Sequence, residues 1–67
     1  MKYKEELIRS LALKAIKMSG SSLNDIERFS WMVIHEYHHG IMPFEYDIRD
    51  VDETLYLKVL HYAKNMT

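Results

Sequence analysis

A small all-α domain, a three-helix bundle, is the fold class the sequence predicts, and three observations predict it. Apolar residues recur at three- and four-residue spacing in separate stretches, turn-forming residues stand between those stretches, and no segment reads as a strand. With two Gly and one Pro in 67 residues, the chain also has little material for hairpins or long loops.

The first helix is expected over about residues 4–19, where Leu7, Ile8, Leu11, Ala12, Ala15 and Met18 share one side. Glu5 and Arg9 are spaced as a helix pair. Ser19-Gly20-Ser21-Ser22 then offers a glycine suited to the place after a helix and hydroxyls suited to starting the next.

A second helix is expected over about residues 22–39, with Ser22 and Asp25 at capping-box spacing and Asp25 and Glu27 at the positive end of the dipole. Leu23, Ile26, Phe29, Ser30, Val33, Ile34 and Tyr37 form its inward sector, and Gly40 supplies the stop. Pro43 disfavours helix at Met42, so the apolar run from Ile41 to Glu45 reads as a connector that packs down.

The third helix is expected over about residues 48–65. Asp47 is its N-cap, with Asp50 three residues on and Tyr46 and Val51 as a hydrophobic staple; Asp50 with Glu53 is a competing start. Val51, Leu55, Tyr56, Val59, Tyr62, Ala63 and Met66 face inward, while Lys58, His61 and Lys64 gather toward the negative end of the dipole. Short connections make the bundle, one domain over residues 1–67, the economical arrangement.

Composition narrows the function. A chain this short buries only about 60% of its unfolded surface, so a partner subunit or a metal is a natural supplement. Cysteine is absent, which removes disulfides and thiolate zinc sites and, with no leader-like apolar run, leads to a cytoplasmic expectation. No apolar run approaches the roughly 18 residues of a membrane span. Nine Lys and Arg against ten Asp and Glu leave a formal charge of −1, so nucleic acid is not an expected partner. A Ser-Gly-Ser-Ser turn between short helices imitates a helix-turn-helix, but the third helix opens on Asp47, Asp50, Asp52 and Glu53 rather than on base-reading residues.

Apolar residues that the helical period turns outward carry the main functional expectation. Leu13 and Leu57 point away from the core, and Trp31 and Met32 fall outside the second helix's inward sector, beside His35, His38 and Arg28. Trp is an anchor of binding surfaces and Met is adaptable, so this face is expected to meet a second copy or another protein. The alternative is that the connector, through Ile41 or Phe44, covers Trp31 within one chain.

His35-Glu36-Tyr37-His38-His39 matches His-Glu-x-x-His and resembles the helix motif of zincin metallopeptidases. The resemblance implies zinc held by His35 and His39, four apart on one face, with Glu36 as general base for a metal-bound water. The sequence lacks the downstream Gly and His of the metzincin extension, so a third ligand would come from Glu45, Asp47, Glu53 or His61. Histidines in a last turn are also favourable at the negative end of the dipole without any metal, and clustered imidazoles can make an interface sensitive to mild acid. The function expected is a small non-catalytic protein-protein interaction or regulatory module, homodimeric or heteromeric, which looks like a phage-type or mobile-element regulator or inhibitor. A zinc-binding protein or minimal zinc hydrolase is the alternative.

Overall fold

The computed structural model describes residues 3–20, 22–43 and 51–66, with backbone alone at Leu23. The expected three-helix bundle is what it shows: α1 spans Glu5–Ser19, α2 Leu23–His39 and α3 Glu53–Met66, and each helix packs against both others. The bundle measures 27 × 26 × 16 Å. Buried side chains from all three helices form a single core between them.

In α1 the carbonyl of Lys4 accepts from the backbone N–H groups of Leu7 and Ile8, and Glu5 and Glu6 sit at the positive end of the dipole. Gly20 ends the helix at φ 64°, where its N–H reaches the Ile16 carbonyl; that left-handed conformation favours glycine. Gly40 ends α2 in the same way at φ 79°, with its N–H donated to the Glu36 carbonyl at 2.8 Å. At the start of α2, Ser22 has the extended backbone of an N-cap, but its side chain makes no capping bond. The expected capping box is not formed.

The third helix begins at Glu53, not near residue 48, and its cap is Asp52. The Asp52 Oδ1 accepts from the backbone N–H groups of Thr54 at 2.8 Å and Leu55 at 3.4 Å, while Oδ2 accepts from the Tyr3 hydroxyl at 2.6 Å. Spacing points to Asp47 or Asp50 as the cap; Asp52 takes the place instead, with its other carboxylate oxygen bonded by Tyr3, 49 residues away. Val51, expected within the helix, precedes it and packs half-buried against the core. Tyr46, Asp47 and Asp50 lie outside the described residues.

Ile8, Leu11, Ala12 and Ala15 of α1, Ile26, Val33 and Ile34 of α2, and Leu55, Tyr56, Val59 and Ala63 of α3 form the core. Trp31 belongs to it, at 1% exposure, which corrects its expected place on the surface. A helix in a three-helix bundle faces two neighbours, so its buried arc is wider than the single stripe that periodicity outlines. Glu27, one turn before Trp31 on the same side of α2, pairs with Lys64 of α3 at 3.5 Å, so this flank faces α3. Covering an indole removes about 150–250 Å² from water, worth on the order of 4–6 kcal/mol as an upper bound. Ile41, in the connector, is 63% exposed, and Phe44 lies outside the described residues.

Tyr37 is also corrected: expected inward, it is 49% exposed. Full burial along α2 stops at Ile34, and in the last turn the neighbours among the described residues leave about half of Tyr37 uncovered. Met18 and Met66, expected inward, are likewise exposed near the C-terminal ends of α1 and α3.

Candidate functional site: the last turn of α2

From Trp31 onward, α2 carries a run of rings that passes from the core to the surface. Trp31 lies 5.3 Å from His35 between ring centroids, His35 4.4 Å from His39, His39 6.3 Å from His38, and His38 5.5 Å from Tyr37. The first contacts follow from helical geometry, since residues four apart on one face are neighbours. His35 is half-buried, whereas Tyr37, His38 and His39 are exposed.

After Gly40 the chain folds back on this turn, and the Ile41 carbonyl meets His35 Nδ1 at 3.0 Å. A carbonyl only accepts, so Nδ1 carries the hydrogen, and in the neutral ring Nε2 keeps its lone pair. Glu36, on another side of the turn, pairs with Lys14 of α1. Both side chains of that pair are solvent-accessible, which makes it a tether between helices of modest strength.

Tyr3, just ahead of α1, and Asp52, just ahead of α3, meet at this end of the molecule. The Tyr3 hydroxyl bond is the main reason the Asp52 carboxyl titrates below its ordinary value; the Thr54 and Leu55 amides and the charge of His38 act in the same direction, against partial desolvation. The Tyr3 hydroxyl is held above its ordinary value, first by the bond to Asp52, with a smaller contribution from Tyr37. Sequence pattern could not reveal this contact, because it joins residues with no shared periodicity.

The remaining expected site residues are dispersed. Leu13 and Leu57 are exposed at 44% and 52% on α1 and α3, as their outward phase requires. Arg28 is exposed on α2, while Met32 is half-buried against the core. Among the described residues no group of three His, Asp or Glu side chains is placed to hold a metal. Of the suggested third ligands, Glu53 and His61 do not join His35 and His39; His61 instead meets Asn65 Nδ2 at 3.1 Å. Glu45 and Asp47 lie outside the described residues. Among the described residues two surface grooves are lined away from this turn, one by Glu5, Glu6, Arg9 and Tyr62 and another by His61, Tyr62, Asn65 and Met66. Among the described residues no helix is long and apolar enough to cross a membrane.

Comparison with curated proteins and with solved structures found no match. The family comparison did: residues 6–67 match the model of DUF8662, described as a domain of unknown function. This covers nearly the whole chain and all three helices, and the protein therefore belongs to the DUF8662 family.

Proposed function

We propose that this protein is a small non-catalytic interaction module that meets a second copy or another protein through the end of the bundle formed by Tyr37, His38 and Ile41. The observation that carries the reading is the pair of large side chains left uncovered there, Tyr37 at 49% and Ile41 at 63% exposure. Aromatic residues are enriched at interface centres, and a ring already positioned by its neighbours loses little side-chain freedom on contact. A regulatory role, by occupying a partner's surface, suits a domain of this size. One feature weighs for a non-catalytic reading: Glu36, the base that the zincin resemblance implies, is engaged by Lys14 of α1.

Solution mass measured over rising concentration tests the self-association arm, with Ile41→Lys and Tyr37→Lys reducing any dimer that forms. A photo-crosslinker at position 37, introduced in cells, tests the other arm by forming an adduct with a protein. A chain that stays monomeric throughout and forms no adduct from that position defeats the reading.

A further inference from the structure

We propose that His35 and His39 form a two-imidazole site for a late first-row divalent ion, with copper(II) bound more tightly than nickel(II) or zinc(II). The separation of the rings carries the proposal. Zinc and similar ions hold imidazole nitrogen at about 2.0–2.1 Å, and each nitrogen lies roughly 1.1 Å from its ring centre, so two rings on one ion at 90–110° stand about 4.5–5.2 Å apart. His35 and His39 stand 4.4 Å apart, within a few tenths of an ångström of that range.

His35 is also oriented as a ligand needs to be. Its Nδ1–H is donated to the Ile41 carbonyl at 3.0 Å, the outer bond that commonly fixes the tautomer of a metal-binding histidine and leaves Nε2 with its lone pair. The ring is further held beside Trp31, at 5.3 Å. The location adds attraction: both histidines lie at the C-terminal end of α2, where the helix dipole favours positive charge. Imidazole suits copper, nickel and zinc, and the general affinity order places copper first.

With two protein ligands the ion keeps open positions for water or for a donor from another molecule. Glu36 has no part in the site, since it pairs with Lys14 of α1.

The chain contains one tryptophan, and its closeness to His35 supplies the readout, because bound copper(II) quenches a neighbouring indole. Titrating copper(II) into untagged protein should quench Trp31 emission saturably at one ion per chain, and excess zinc(II) should reverse the quench. His39→Gln alters an exposed side chain and should weaken binding at least tenfold while leaving the fold intact by circular dichroism. His35→Gln should do the same, and His38→Gln and His61→Gln should leave the titration unchanged. A quench that never saturates, or one that survives His39→Gln with its midpoint unmoved, overturns the proposal. Loss of binding in His38→Gln with retention in His39→Gln also overturns it, by assigning the ion to other residues.

Discussion

The middle of α2, from Ile26 to Ile34, and its last turn, from His35 to Ile41, belong to one continuous stretch of chain, yet they meet opposite environments. Ile26, Ser30, Trp31, Val33 and Ile34 are buried between α1 and α3, whereas Tyr37, His38, His39 and Ile41 are exposed. Both segments are rich in large or aromatic side chains, so composition does not separate them. What separates them is how completely the neighbouring helices cover them. Helical phase states the direction in which a residue points; only the crossing of the three helices states whether anything stands there.

The sharpest way to break this contrast is to empty its buried half. Trp31→Ala should cost about 3–5 kcal/mol, a large share of the stability available to so small a domain, and urea titration followed by circular dichroism should show little folded protein left. A loss below about 1 kcal/mol, the scale of an ordinary substitution, would place the indole outside the core.

Ser30 sharpens the same contrast in the other direction. Its hydroxyl is fully buried and has no hydrogen-bond partner among the described residues, and an unsatisfied buried polar group costs on the order of 1–3 kcal/mol. Ser30→Ala should therefore raise the urea midpoint, by about 1 kcal/mol in stability after allowing for relaxation. A lower midpoint would mean that the hydroxyl is bonded in solution.

The bond between Tyr3 and Asp52 makes the exposed end of the bundle sensitive to pH. Asp52 titrates below its ordinary value near 3.8, so its stabilisation is present above that value and is lost as pH falls through the depressed one. Tyr3 titrates above its ordinary value near 10.0, so its stabilisation is present below that value and is lost as pH rises through the raised one. Tyr3→Phe should lower the melting temperature at neutral pH, and the two proteins should converge at pH 2. A difference that is as large at pH 2 as at pH 7 would assign the effect to packing of the ring.

Much of this fold was legible because α1 and α2 each satisfy several local requirements at once: apolar phase, acids near the start, and a glycine after the last turn. Local chemistry underdetermined the rest. Spacing points to Asp47 or Asp50, whereas the cap is Asp52, whose second carboxylate oxygen is bonded by Tyr3 at the other end of the chain. Trp31 was misplaced because one apolar stripe was drawn for a helix that has two neighbours, and Tyr37 because a correct direction was read as burial. The histidine motif was legible as a pattern, but the pairing of Glu36 with Lys14 and of His35 with the Ile41 carbonyl arises only once α1 and the chain after Gly40 are in place.

The smallest expected effects on stability belong to the exposed turn. Tyr37→Ser and Ile41→Ser should each change stability by no more than about 0.5 kcal/mol, the usual range for surface positions, while altering association. A loss near that of a core truncation would show that these side chains support the fold, and the division of α2 into a packed segment and a contact segment would fail.

Trp31 fluorescence, recorded while the protein is diluted from concentrations where copies meet to concentrations where they are separate, tests that division most directly. An indole enclosed within a single chain should emit in the blue, resist quenching by acrylamide and remain unchanged at every dilution. Emission that moves to the red and becomes quenchable as copies separate would show that a partner covers Trp31, and the assignment of this residue to the core of one chain would be wrong.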